Sequence, residues 1–314
     1  MTKWWSPAQF NRKKPYLKAR QQILRTLQDY FDALGFDEVD TPILQICPVI
    51  DTHIRAFATE LRGVDGAIKK TIYLHTSPEF AMKKLMVAGM EKIYQICPVF
   101  RNAEGSKRHR VEFTMIEWYR TQADYNDIMA DCVGLLRQCA RALDITHYTY
   151  KSHRCDPFQD FERLTVCEAF KTYADMDLLA YLDDTEGFRA AVAALKLHVA
   201  AEDGWDGLLF RVMDAKIEPF LGMERPTFLC DYPIAMASLS KPKDSDPRFA
   251  ERFELYICGT ELANAFSELT DAAEQRKRYN IEMAEKKRIY GETYPLDEEF
   301  IAAIKKILGY RPKK

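Results

Sequence analysis

The sequence predicts an α+β fold, an antiparallel sheet flanked by helices with a helical insertion, and three observations carry that prediction. Runs of alternating polar and apolar residues come in pairs joined by short turns or one polar loop. Helical periodicity gathers in runs of its own instead of alternating with single strands. Neither G-x-x-x-x-G-K nor G-x-G-x-x-G occurs, so a nucleotide site here is not of the P-loop or Rossmann kind.

The elements follow in order. Over residues 14–34, Leu17, Ile23, Leu24, Leu27, Phe31 and Leu34 recur at helical spacing, and Gly35 offers a left-handed cap. Residues 36–42 read as a strand reaching Pro42, which lacks a ladder donor and marks a strand end, an edge or a subunit contact. Residues 71–75 alternate as a half-buried strand, and Pro78-Glu79 opens a helix that turns Phe80, Met82, Leu85 and Met86 inward. Residues 92–100 and 111–119 are strands joined by a ten-residue polar loop, 101–110.

A helix follows over 126–143. Thr165-Val-Cys-Glu168 matches a capping box and begins a mostly helical stretch, placed as an insertion at 159–226. Residues 252–257 form a strand, Gly259 a turn and 262–269 the returning strand, before helices at 272–290 and 296–308.

With 314 residues, 47% apolar and 29% charged, the chain holds enough for one large domain or two ordinary ones, which excludes disorder, collagen and coiled coil. Forty-five basic against forty-seven acidic residues give a formal charge of −2, so no global positive excess marks nucleic acid as the main ligand. No apolar run approaches the ~20 residues of a membrane helix and no signal peptide opens the chain, so we expect a cytoplasmic protein. The eight scattered cysteines contain no C-x-x-C and read as buried thiols; the six histidines lack zinc spacing.

Two constellations carry chemistry. The first is Phe100-Arg101-Asn102-Ala103-Glu104, then Arg108-His109, then Glu112-Phe113-Thr-Met115-Ile-Glu117-Trp-Tyr119. On a strand Phe113, Met115, Glu117 and Tyr119 share a face, Arg101 offers a planar fork for phosphate or carboxylate, and Arg108 and His109 add positive charge. A solvated hairpin with an ordinary ion pair is the structural alternative. The second is Glu254, Glu261, Asn264, Glu268 and Asp271 within eighteen residues. Glu254 and Glu261 flank one turn and can approach a single Mg²⁺, and Glu268, four positions from Asn264, shares its face. Acids packed so closely need a cation, from a ligand or from arginines elsewhere in the chain.

Thr76-Ser77-Pro78-Glu79, the Phe-Arg-Asn loop with Arg108-His109 and Glu112-Phe113-Thr-Met-x-Glu117-x-Tyr119, and Arg252-Phe-Glu254 with Gly259-x-Glu261-Leu-Ala-Asn264-x-Phe-x-Glu268-Leu-Thr-Asp271 resemble class II lysyl-tRNA synthetases. Within that family the resemblance, over about residues 14–308, is closest to the short paralogues that ligate (R)-β-lysine to elongation factor P. It implies a single catalytic core over 1–314, dimeric through the first helix and strand. It further implies ATP and Mg²⁺ as cofactors, β-lysine or lysine as substrate and elongation factor P as acceptor. A tRNA substrate is not expected, because the synthetase's N-terminal anticodon-reading domain has no counterpart here.

By the same resemblance Arg101 clamps the α-phosphate, Asn102, Arg108 and His109 serve the nucleotide, with His109 near the outer phosphates, and Phe113 stacks on adenine. Glu254 and Glu261 hold Mg²⁺; Ser77, Glu79 and Asn264 meet the amino acid, and Glu117, Tyr119 and Glu268 its side-chain ammonium. Three departures are expected to matter: Ala103 stands where the family writes a glutamate, with Glu104 beside it; Arg110-Val-Glu112-Phe113 replaces the family's Asn-Pro-Glu-Phe; and no counterpart of the family's C-terminal glycine-rich strand and helix is expected after 296–308. They frame a rival reading, an impaired paralogue that binds lysine or docks on a partner.

Overall fold

The computed structural model describes residues 3, 5–104 and 109–307. Helix α1 (Pro7–Ala33) leads to two short strands, β1 (Asp37–Glu38) and β2 (Leu44–Gln45), then to the hairpin of β3 (Ala58–Arg62) and β4 (Ile68–Leu74). Helix α2 (Glu79–Ala88) precedes the long hairpin of β5 (Lys92–Phe100) and β6 (Glu112–Arg120). After α3 (Tyr125–Ala142) come β7 (Tyr148–Tyr150), β8 (His153–Cys155) and β9 (Glu162–Thr165), then helices α4 (Val166–Ala174), α5 (Thr185–Ala194) and α6 (Trp205–Val212). Strands β10 (Thr227–Pro233), β11 (Phe249–Ile257) and β12 (Thr260–Phe266) and helices α7 (Ala272–Tyr290) and α8 (Glu298–Ile307) complete the described chain.

The α+β class predicted from the sequence is the class observed, with antiparallel pairing dominant. The residues gather into two compact units: Met1–Tyr30 with Ala123–Glu268, and Phe31–Gln122 with Leu269–Lys314.

The unit containing Phe31–Gln122 holds the sheet β1-β5-β6, in which β1 runs parallel to β5 and β6 antiparallel, and the antiparallel sheet β2-β4-β3. Alternation along β5 buries Ile93 and Val99 completely, and Tyr94, buried as well, stacks on Phe31 at 4.9 Å while its hydroxyl donates to Asp32 at 3.0 Å. Helix α2 ends at Gly89, whose φ of 119° only glycine adopts readily, and its Phe80 stacks on Phe300 of α8 at 4.4 Å. Lys286 of α7 is fully buried between the rings of Tyr290 and Tyr294 and donates to the carbonyls of Thr52 and Ile54, both at 2.7 Å. The next residue, Arg55, pairs with Glu292, and its carbonyl accepts the Asn102 amide at 2.7 Å.

The other unit holds the sheet β12-β11-β10-β9. Its core joins Val166 and Phe170 of α4, Phe188 and Val192 of α5 and Leu208 and Leu209 of α6 to Leu229 and Tyr256 of the sheet. The stretch read as a helical insertion, 159–226, opens with strand β9 parallel to β10, and its helices begin only at Val166. Thr165 forms the expected capping box, its hydroxyl accepting the Glu168 amide at 3.1 Å while the Glu168 carboxylate accepts the Thr165 amide at 2.8 Å. All eight cysteines are free, and seven are buried.

Several boundaries differ from the sequence reading for physical reasons. Pro15 invites a helix start, since its missing N–H suits a first turn, yet α1 begins at Pro7 and carries Pro15 inside. The strand expected at 36–42 narrows to β1, and the returning strand expected at 262–269 is Thr260–Phe266. No helix of the described residues is long and apolar enough to cross a membrane.

The β11–β12 turn is two residues, Cys258 at φ 51° and Gly259 at φ 66°, the backbone signs of a type I′ hairpin turn, which sets the register of both strands. Gly222 pins it: its carbonyl accepts the Cys258 amide at 2.7 Å, its own φ is 66°, and a Cβ there would fall 2.3 Å from the Tyr256 carbonyl oxygen. Gly222→Ala is therefore expected to cost about 2 kcal/mol or more in urea unfolding, since both backbone conformation and contact oppose it. A change within about 0.5 kcal/mol would contradict this account.

Candidate active site

In the unit containing Phe31–Gln122, the β5–β6 ladder runs unbroken from Lys92↔Arg120 to Phe100↔Glu112. Phe113, Met115, Glu117 and Tyr119 lie opposite Val99, Cys97, Gln95 and Ile93, so the alternation predicted for β6 is the one observed. At the loop end, the Arg101 amide donates to the Val111 carbonyl at 2.9 Å and its guanidinium lies 5.3 Å from the Phe113 ring centre. The Arg101 Nε donates to the Thr76 carbonyl at 3.4 Å, which ties the arginine to the turn bearing Ser77.

Ser77 links the start of α2 to Glu117. Its Oγ accepts the Glu79 amide at 3.0 Å and donates to Glu117 Oε2 at 2.8 Å, while the Tyr119 hydroxyl donates to Glu117 Oε1. Burial first, then the charge of Glu79, pushes the Glu117 carboxyl up to about 7; the donors Tyr119 and Ser77 and the ammonium of Lys83 oppose that rise. Lys83, one helical turn beyond Glu79, approaches Glu79 Oε1 at 2.5 Å. Sequence reasoning did not single out Lys83, although its i,i+4 spacing from Glu79 is a readable signal.

The polar loop is held at both sides of its tip. Asn102 Oδ1 accepts the Ala103 amide at 2.8 Å, and Ala103 itself sits at φ 60°, a conformation that side chains rarely adopt. Glu104 Oε2 lies 3.0 Å from His109 Nδ1, so Glu104 occupies itself with the loop's own histidine. Arg108, also expected at the nucleotide, lies outside the described residues.

The unit containing Ala123–Glu268 carries the second constellation on β11–β12. Glu254 pairs with Asn264 across the ladder and Tyr256 with Glu261, so Glu254, Glu261 and Asn264 share one face. Glu261 and Asn264 are three apart and would face opposite ways on a regular strand; a bulge at Leu262 brings them together. Glu254 is buried and satisfied: Arg252 Nη2 donates to Oε1 at 2.9 Å, Asn264 Nδ2 to Oε1 at 3.4 Å and the Tyr256 hydroxyl to Oε2 at 2.6 Å. Arg252 also bonds Asn264 Oδ1 at 3.2 Å and stands 4.4 Å from the Tyr232 ring centre. The buried Tyr232 and Tyr256 phenols are both pushed upward by desolvation and by Glu254, so they act as neutral groups.

Beyond Phe266, where β12 ends, the Ser267 amide still donates to the Glu251 carbonyl of β11 at 2.9 Å, while the Lys241 amide donates to the Ser267 carbonyl at 2.9 Å and Glu268 bridges to Ser240. Arg252 and Tyr256, which engage Glu254, were missed, though each lies two residues from it on the same strand face. Among the described residues no three His, Cys, Asp or Glu side chains gather as a metal site.

A paired-strand scaffold bearing an arginine, an aromatic ring and amine-sized acidic groups defines a class II synthetase type of catalytic domain. The family described as tRNA synthetases class II (D, K and N) matches residues 7–309, and the chain belongs to it. It is 38% identical over 290 residues to the elongation factor P (R)-β-lysine ligase of Edwardsiella ictaluri, covering 92% of this chain and 84% of that protein. With the ligase of the same name from Haemophilus influenzae it shares 37% identity over 293 residues, 93% of this chain and 84% of the relative. The lysine–tRNA ligase of Pelotomaculum thermopropionicum is 35% identical over 293 residues, and the chain spans only 56% of its length.

The raised Glu117 carboxyl has a thermodynamic consequence. Between the ordinary 4.5 and about 7, the folded chain keeps a proton that the unfolded chain releases, so this group's contribution to stability falls as pH rises through that window. Glu117→Gln removes the titration. Its melting temperature is expected to gain on the wild type between about pH 5 and about pH 8, as read by thermal unfolding across that range; a constant difference would contradict the assignment.

Proposed function

We propose that the chain activates a lysine-like amino acid, β-lysine, with ATP and transfers it to a lysine of elongation factor P. The substrate carboxylate attacks the α-phosphorus and displaces pyrophosphate, giving the aminoacyl-adenylate. The acceptor amine then attacks the acyl carbon and releases AMP, with its proton passing to solvent. The observation that carries this reading is the Glu117 carboxylate held by Ser77 and Tyr119, with the charge of Glu79 acting on it, on a chain whose ligase relatives bear that name.

In one unit, Arg101 would neutralise the developing charge on the α-phosphate, Phe113 would take the adenine ring, and Asn102 and His109 would serve the phosphates. Ser77, Glu79, Glu117 and Tyr119 would bind the amines of the amino acid. In the other, Glu254 and Glu261 offer two hard carboxylates on one face, and Glu254 Oε2 receives a single donor. That set fits Mg²⁺ when phosphate oxygens and water supply the remaining ligands, and the ion supplies charge neutralisation when bound. Asn264 and Glu268 keep the amino-acid roles implied by the resemblance.

Exposed apolar residues on α1, among them Tyr16 and Leu17, support a homodimer through this helix. Sedimentation equilibrium should give twice 36.5 kDa, and a monomer at micromolar concentration would refute it.

Pyrophosphate exchange dependent on (R)-β-lysine, and its labelled transfer to elongation factor P in preference to lysine tRNA, tests the whole reading. Arg101→Ala should lower the exchange rate roughly a hundredfold or more, as expected when a charge-stabilising group is removed. No exchange with any lysine isomer would overturn the proposal, and transfer to tRNA alone would redirect it.

A further inference from the structure

Ser77 ties the start of α2 to Glu117, since its Oγ accepts the Glu79 backbone amide and donates to the Glu117 carboxylate, and the charge of Glu79 acts on Glu117. Acids this close repel, and one of them takes a proton unless a cation joins them. Lys83 is that cation. It lies one turn along α2 from Glu79, its ammonium is 2.5 Å from Glu79 Oε1 and 5.8 Å from the centre of the Tyr119 ring, and the residue is 7% exposed. A lysine buried to this degree needs a compensating partner, and Glu79 provides it. Its neighbour Lys84 pairs elsewhere, with Asp297 at 2.6 Å, so the helix commits only one of the two lysines to the acids.

We propose that Lys83 is a positioning residue for amino-acid binding, holding Glu79 across one helical turn and offsetting its charge beside Glu117. The inference rests on the reading of Ser77, Glu79, Glu117 and Tyr119 as the amine pocket. The groups that face Glu117 are Glu79 and Lys83 of α2, Ser77 ahead of that helix, Tyr119 on its own strand and Cys97 on β5. Burial pushes the Cys97 thiol up to about 11, so it stays neutral and Lys83 is the cation that opposes the Glu79 charge.

Carbon-13 NMR of the full-length protein labelled in glutamate carboxyls, with Glu117 assigned through Glu117→Gln, reads this directly. Lys83→Met should raise the Glu117 midpoint by about one pH unit, whereas Lys83→Arg should leave it close to the wild type. Glu79→Gln, which removes the repulsion while leaving Lys83 in place, should lower the midpoint and serves as the second variant if Lys83→Met does not fold. In pyrophosphate exchange, Lys83→Met should raise the amino-acid KM about tenfold near neutral pH, recover at alkaline pH and leave the KM for ATP unchanged. An unmoved midpoint in folded Lys83→Met, or in Glu79→Gln, overturns the inference. A moved midpoint in a protein whose wild type shows no amino-acid-dependent exchange supports the electrostatic role of Lys83 and overturns the assignment of the pocket.

Discussion

Because side chains alternate along a strand, a hairpin delivers its functional groups to one face only while its rungs stay in register, and two hairpins of this protein depend on that constraint. In β5–β6 an unbroken ladder carries Phe113, Met115, Glu117 and Tyr119 to the same side. In β11–β12 the two-residue turn sets the register and the Leu262 bulge then shifts it, so that Glu254, Glu261 and Asn264 converge. The first arrangement needs regularity and the second a defined irregularity. Both fix the chemistry before any side-chain contact is made.

On that scaffold the acids are partnered from within. Glu254 receives Arg252, Tyr256 and Asn264, and Glu117 receives Ser77 and Tyr119, while Glu79 is met by Lys83. Such internal partners limit the cost of burying charge, and they hold each carboxylate in one orientation. The clusters differ in balance. Glu254 is met by a cation and neutral donors, whereas burial and Glu79 still hold Glu117 upward despite its donors and Lys83.

The hairpins were legible in the sequence because their alternation is strong and their turns carry glycine or charge; β5 and α7 have the bounds that periodicity assigns. The Thr165 capping box was legible because hydroxyl and carboxylate stand at a fixed spacing. The bulge at Leu262 was not, since nothing in Glu-Leu-Ala-Asn distinguishes a regular strand from one with an extra residue. Strand β9 was lost inside a stretch read as helical because four residues are too few for a periodic signal. Lys83 and Arg252 escaped notice because pairing inside the protein has no signature beyond residue spacing.

Lys286 has a bearing on the order in which the chain can acquire its structure. It grips the carbonyls of Thr52 and Ile54, next to the Arg55 carbonyl that receives the Asn102 amide beside Arg101. These partners are separated by more than two hundred residues of intervening chain, Lys286 standing 234 positions after Thr52. During synthesis the arginine loop thus emerges long before the helix that braces its neighbour. That brace closes only once α7 has left the ribosome, which makes this corner of the protein one of its late-forming parts.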